Sequence, residues 1–325
     1  MKKYLESLKK ELLKLRISEQ EIEEILKDHE EMISEALAEG LSETEIVEKF
    51  GQPEKVAQDI ADSNQTEEAE TGNKRDMTLW KTMNVENGIA KTIVNLVSED
   101  ISYESANTNS ITIYYKGDED LSLYELSFIS GELVFKRRSN FTNNFFSFRS
   151  RDMHFIVVFP QKIEIGEFKH NSVSGDIDIK SITSKAIEVS STSGDLSVTK
   201  IVAQTGKMSL VSGDLHLDHC IIERLSINTV SGDMNVNNLV VNDEFRIDGV
   251  SGDVKINNSI TKMTAFKTVS GDLDGTEFYP ESIALSSVSG DINICNQDQS
   301  KAIRVLKSNT LSGTIQINHN RQHKD

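Results

Sequence analysis

The sequence predicts an α + β multidomain chain: a small four-helix N-terminal domain, then a parallel β-solenoid (β-helix) of ~19-residue coils. Three observations carry this. Between Val173 and Asp291 a hydrophobic residue or Thr, then Ser-Gly-Asp, then an aliphatic residue recurs seven times. The glycines are Gly175, Gly194, Gly213, Gly232, Gly252, Gly271 and Gly290, spaced 19, 19, 19, 20, 19 and 19. Over residues 1–62 apolar residues instead recur at three- and four-residue steps. Between these regions, residues 63–78 are polar and lack any apolar periodicity, the composition of a linker.

In the front domain, Leu5, Leu8, Leu12 and Leu15 form the stripe of a first helix. Ser18 and Glu21 make a capping box for a second, whose stripe runs through Ile22, Ile25, Leu26, His29, Ile33, Ala36 and Leu37 to a stop at Gly40. Ser42 and Glu45 repeat the box for a short helix ending at Gly51, and Pro53 opens the fourth, with Val56, Ala57 and Ile60 on its apolar face. His29 lies among carboxylates, and a packed core-edge histidine is preferred over a proton sensor or metal ligand.

Charge divides the same way. Residues 1–70 hold nine Lys/Arg against twenty Asp/Glu, net -11 of the chain's -17. An acidic front end argues against nucleic acid and anionic membrane as its partners. No run of about 18 apolar residues exists to span a membrane, and no early apolar run marks a signal peptide. Cys220 and Cys295 fall four coils apart, roughly 19 Å at the strand spacing. A disulfide needs alpha carbons within about 7 Å, so both are expected to be free, as in a reduced cytoplasmic protein.

The solenoid is assigned to residues 79–318 and a polar tail to 319–325. Positions two and four after each repeated glycine, and five and seven before it, are mostly aliphatic with polar residues between, so every coil carries at least two strands of alternating face. Nineteen residues at 3.3 Å give roughly 60 Å per turn, enough for a two- or three-sided coil. The glycines are read as structural corners that need a positive φ. Asp176, Asp195, Asp214, Asp233, Asp253, Asp272 and Asp291 should stack as a ladder, each satisfying nearby backbone. A cation column is the lesser reading, one carboxylate per coil being thin coordination. Val97-Ser98-Glu99-Asp100 and Ile129-Ser130-Gly131-Glu132 look like degenerate corners.

One segment departs from the repeat: Lys136, Arg137 and Arg138, then Phe141, Phe145, Phe146 and Phe148, then Arg149 and Arg151. It is the candidate contact surface for an acidic protein partner, the acidic helical domain of the same chain among them. A peripheral anionic membrane is the alternative, and an end cap of the solenoid the structural reading. His216, Asp218, His219 and Cys220 superficially resemble metal ligands, but a polar turn is the default. His319 and His323 belong to the tail, read as a shield for the last coil's edge. No nucleophile elbow, phosphate loop or HExxH is present, so no catalytic, cofactor or metal residue is assigned and no enzyme is expected.

Residues 1–62, with Glu30, Glu31, Glu35 and Glu39, Gly40, and the run Phe50-Gly51-Gln52-Pro53-Glu54 to Val56-Ala57, resemble the HAAS-type helical signalling domain. Residues 85–318, through their repeated Val-Ser-Gly-Asp corners, resemble the putative-adhesin β-strand-repeat family of Firmicutes. The resemblance implies a non-enzymatic signalling or scaffold protein linked to the cell-envelope stress response. Its alternative is a surface-associated adhesin or envelope-binding protein, with a polysaccharide-active β-helix enzyme the weakest of the three.

Overall fold

The computed structural model describes residues 2–14, 22, 26, 53, 57, 76–138, 153–298 and 300–319. The chain divides into two compact units, Met1–Met77 and Thr78–Asp325. In the first, helix α1 (Lys2–Lys14) buries Tyr4, Leu8 and Leu12 on one face, and Lys14 in its last turn bonds Glu11 at 2.6 Å. The expected four-helix domain is corrected here. α1 is the one α-helix described along its length; over 18–60 only Ile22, Leu26, Pro53 and Ala57 are described, each in helical conformation, so no four-helix domain is seen among the described residues. Capping boxes and apolar stripes mark where a helix can begin; holding one of about ten residues takes tertiary burial. What is described is a mostly-β molecule.

The second unit is a solenoid whose coil has a fixed grammar. A four-residue strand such as β9 (Ile177–Lys180) buries Ile177 and Ile179. Ser181 then turns the chain at φ 56°, as do Lys200 (55°), His219 (51°), Asn238 (52°), Asn258 (48°) and Glu277 (52°) one coil at a time. A longer strand such as β10 (Thr183–Ser191) follows, with Ser184, Ile187, Val189 and Ser191 inward. Its alternation slips at Lys185 and Ala186, two outward residues in a row, so the strand bends and the coil has three sides. Strands of equal place pair in parallel and in register, Val189 on Met208 and Met208 on Ile227. The 20-residue interval is absorbed at this bend, where register shifts between Val241 and Glu244.

The Ser-Gly-Asp corner closes each coil, and it needs glycine for a reason beyond φ. Gly194, Gly213, Gly232 and Gly252 have φ of 113–120°, but Gly271 and Gly290 do not lie in that region. All of them would bring a Cβ onto the backbone carbonyl of the preceding corner glycine, deep inside van der Waals contact. Stacking distance, more than dihedral preference, excludes a side chain. The aspartates are also less local than expected. Each Oδ1 accepts a hydrogen bond from the backbone N–H of the Asp one coil on: Asp195 N to Asp176 at 2.8 Å, Asp214 N to Asp195 at 2.8 Å, Asp253 N to Asp233 at 2.9 Å. The ladder starts at Asp100, which accepts from Asp176 N at 2.9 Å. It stops at Thr314, whose N–H and hydroxyl both donate to Asp291 at 2.7 and 2.9 Å.

The first layers are threaded out of chain order. β2 (Ile89–Asn95) lies between β6 (Glu132–Arg137) and β8 (Ile165–Ser172), all parallel. β3 (Asp100–Ala106) likewise lies between β7 (His154–Pro160) and β9. The free edges this would leave are covered by antiparallel strands: β4 (Ser110–Lys116) on β7, β1 (Thr78–Asn84) on β4, and β5 (Tyr124–Ile129) on β6. Beneath that cover Trp80, Tyr124, Phe135 and Phe155 pack edge-on with centroids 4.9–6.2 Å apart. The last strand of the long side, β20 (Arg304–Ser312), puts Ser308 and Thr310 where earlier coils place Leu285 and Ser287. Its composition suits a terminal coil with no further coil above it.

Gly232→Ala and Gly271→Ala should each lower stability by about 3 kcal/mol or more, measured by urea denaturation, although only Gly232 has a positive φ. Gly249→Ala, with nothing nearer than 3.7 Å to the new methyl, should change it by less than about 1 kcal/mol. A mild Gly271→Ala would show that φ alone governs the corner. Asp233→Asn keeps an acceptor and should cost under about 1 kcal/mol, whereas Asp233→Ala should cost about 1.5–3 kcal/mol.

Candidate functional site

Four groups of residues have chemistry to offer, and the fold treats them differently. The basic-aromatic segment is anchored at both ends: Arg138 N donates to Leu123 O at 2.8 Å, and Asp100 N donates to Met153 O at 2.9 Å. Phe141, Phe145, Phe146, Phe148, Arg149 and Arg151 lie outside the described residues. Lys136 and Arg138 are described, half-buried and exposed respectively. Arg137 is no free contact residue. Its guanidinium bonds the carboxylate of Glu99, pairs with Glu119 at 2.6 Å and lies over the Tyr124 ring at 5.6 Å. Glu99 stands at the glycine position of the first corner and is 1% exposed. It also accepts from Val97 N at 2.7 Å, Ser98 N at 3.0 Å and Tyr124 Oη at 2.8 Å. Burial alone would raise the Glu99 carboxyl; the Val97 N–H, Arg137 and Tyr124 together hold it below the usual range. Burial opposes the charge on Arg137 as well, and Glu119 and Glu99 outweigh it and raise the guanidinium further. Arg137 therefore fastens the first corner to the capping strand β5.

The His216–Cys220 cluster separates by face. Cys220 is fully buried in an inward column with Ile182, Ile201 and Leu239, while His219 occupies the left-handed corner and bonds Asp218 at 2.8 Å. Burial raises the Cys220 thiol. No group of three or more potential metal ligands occurs among the described residues, and both cysteines are free. In the Asp column every inner carboxylate oxygen is already occupied by a backbone donor, leaving the outer one to solvent.

A buried pair escaped the sequence reading. Tyr103 Oη and His170 Nδ1 are 2.6 Å apart, both residues wholly buried, with Phe168 edge-on to Tyr103 at 4.9 Å. Burial raises the Tyr103 phenol and pulls His170 down to about 3. Both groups are therefore neutral and share one hydrogen bond, and His170 Nε2 has no partner. His170 stands in the inward column of Val94, Val189, Met208 and Ile227. Column alignment would have exposed it as the one titratable member of that stretch.

The remaining group is a surface. The residue before each Ser-Gly-Asp points outward: Val173, Val211, Val230, Val250, Val269 and Val288 are each between 45% and 49% exposed. Val97 begins the row and Leu311, 84% exposed, ends it, with Thr192 the polar member. Beside this ridge runs a groove of about 290 Å³ lined by Asn171, Ser190, Thr192, Ser209, Val211 and Asn228 among others. The repeat displayed these valines, but the sequence reading did not separate outward from inward members across the corner.

The comparisons follow the fold. A family model described as Toastrack DUF4097 matches residues 89–243 and 240–324, and one described as HAAS matches residues 3–59. Among solved structures, one from Parabacteroides distasonis, described as a putative lipid binding protein, is 18% identical with a TM-score of 0.51. That match covers 74% of this chain and 96% of the other, and it shows a shared fold. A putative adhesin from Bacteroides fragilis is 16% identical, covers 73% and 96%, and has a TM-score of 0.43. A putative cell adhesion protein from Clostridium sporogenes is 14% identical, covers 75% and 100%, and has a TM-score of 0.31. No functionally curated protein matches the sequence. Among the described residues no helix is long and apolar enough to cross a membrane.

Arg137→Met strands the Glu99 charge and should cost about 3 kcal/mol of stability, against little for Arg138→Met. Equal melting temperatures for the two variants would remove Arg137 from the architecture. For the buried pair, the unfolded chain takes up a proton near the ordinary 6.5 while folded His170 resists it until about 3. Its contribution to stability should therefore fall as pH drops through that window. Tyr103→Phe with His170→Met should flatten this part of the pH–stability curve, read from denaturation midpoints at each pH.

Proposed function

This chain belongs to the Toastrack DUF4097 family, and within it we propose that the molecule acts as a non-enzymatic scaffold in cytoplasmic signalling linked to the cell envelope. One observation carries this reading: among the described residues, the buried or clustered groups with chemical potential are committed to architecture. The aspartates hold the next coil, Arg137 and Glu99 fasten the cap, Cys220 fills the core, and His170 faces Tyr103. A reaction needs a nucleophile, a base and a stabilising donor gathered at one place. Here the outward groups recur at the coil period, which favours an extended contact surface over a point of catalysis. The HAAS match at residues 3–59 supports an interaction role for the front unit. The partner of the scaffold is a protein, engaged through that unit or through the segment beginning at Lys136.

The second reading is an envelope-bound protein that meets lipid or a surface polymer. The exposed valine row favours it, together with the lipid-binding description of the Parabacteroides structure of the same fold. Fractionation of cells producing the full chain, with protease added to intact cells, separates the two. The scaffold reading expects protection from protease until lysis and recovery in the soluble fraction. Digestion on intact cells would transfer the preference to the surface protein.

A further inference from the structure

The valine ridge and its groove have a geometry that a second copy of the same chain would fit. From the corner backwards the outward columns run in the order Asp176, Ser174, Val173, Asn171, Lys169, each continued coil by coil by parallel register. The ridge is the valine column. The groove lies beside it over four coils, against Asn171, Ser190, Ser209 and Asn228, small neutral residues on which an incoming apolar side chain meets no charge; the same column continues as Asp248 and Lys267 beyond the groove. Both features advance by the same coil spacing, about 4.8 Å, so any copy of the ridge has the groove's period along its length.

Symmetry then selects the pairing. A twofold axis parallel to the coil stack, placed between ridge and groove, sets the ridge of each copy into the groove of the other, an isologous contact. It also keeps the two aspartate columns on opposite sides of the contact, apart from one another. A twofold axis perpendicular to the stack would instead bring the two aspartate columns face to face, with like charges opposed along the whole contact. A row of valines along roughly 30 Å, from Val173 to Val288 with Thr192 the one interruption, is longer than scattered exposed residues on a monomer. Closely stacked identical β-branched side chains are also the material of dry sheet-to-sheet contacts.

We propose that the chain forms a parallel homodimer through this surface, the valine ridge of each solenoid seated in the serine–asparagine groove of its partner. The interface is independent of whether the dimer then serves as a scaffold or binds an envelope component. Thr192 already occupies one ridge position, so threonine is compatible with the corner.

The test uses the full-length chain in sedimentation velocity across a concentration series. Wild type should reach twice its 36.3 kDa mass, and Val211→Thr/Val230→Thr/Val250→Thr should weaken self-association about tenfold or more with an unchanged melting temperature. A dimer that survives the triple substitution, or a wild type that stays monomeric at high concentration, overturns the proposal. A monomeric wild type that co-sediments with phosphatidylcholine vesicles, and loses them on the triple substitution, assigns the ridge to lipid and overturns it too. Geometry is tested by mixing Val230→Cys with Asn228→Cys under mild oxidation. A disulfide-linked heterodimer in the mixture, beyond the background from Cys220 and Cys295 in wild type, supports the parallel register. Its absence from a mixture that still dimerises overturns the ridge-in-groove contact.

Discussion

The whole solenoid depends on how closely one corner can sit on the next. At the Ser-Gly-Asp turn the carbonyl of each corner glycine occupies the space where the next glycine would carry a Cβ. This contact brings the Asp carboxylate within reach of the next coil's N–H, at 2.8–3.0 Å throughout. Two carboxylates about 4.8 Å apart repel by about 0.9 kcal/mol in water. A hydrogen bond to a charged acceptor returns about 1.5–3 kcal/mol. Attraction wins at every step, because a backbone donor stands between each carboxylate and the next. The glycine and the aspartate are thus one device, and neither is useful without the other.

A one-dimensional device needs two ends. At the start, Asp100 offers a carboxylate to the first true corner, and Glu99 takes the glycine position with its side chain held by Arg137 and Tyr124. At the finish, Thr314 supplies two donors to Asp291 and has no carboxylate with which to invite a further coil. Between these ends several inward departures from the repeat are compensated locally. Gly275 leaves a gap in an aliphatic column, and Phe278 fills it, its Cβ within 3.3 Å of where a side chain would begin. Ser259 replaces an aliphatic residue and satisfies its hydroxyl on Asn257 O at 2.8 Å while accepting Leu239 N at 3.1 Å. Asn296, turned inward, bonds both the N–H and the carbonyl of Phe278.

Much of this was legible in the chain. The period gave the coils, the alternation around each glycine gave most of the core, and the distance between Cys220 and Cys295 in coils gave their free state. What the sequence withheld were relations between distant segments. Nothing local says that β2 lies between β6 and β8, since that pairing joins Ile93 to Val134 and to Lys169 across unlike sequence. Arg137 read as surface because its neighbours are basic, yet its partners Glu99 and Glu119 lie 38 and 18 residues away. Of the four-helix domain, the first stripe is present as α1, while the other three helices fall almost wholly outside the described residues, so the local caps and stripes that marked them do not amount to a described domain.

Inward positions of the repeat are constrained by packing, and corner positions by stacking, so neither is free to acquire chemistry without breaking a neighbour. The outward column before each serine is under neither constraint. Thr192 sits in it with no change of backbone pairing, as Ser191 still lies in register on Leu210. If only solubility governed such positions, threonine or a charged residue would be the expected occupant in every coil. Valine instead holds six of the seven Ser-Gly-Asp corners. An apolar choice repeated where the fold does not require it is a property of the surface, set apart from the packing of the core and the stacking of the corners.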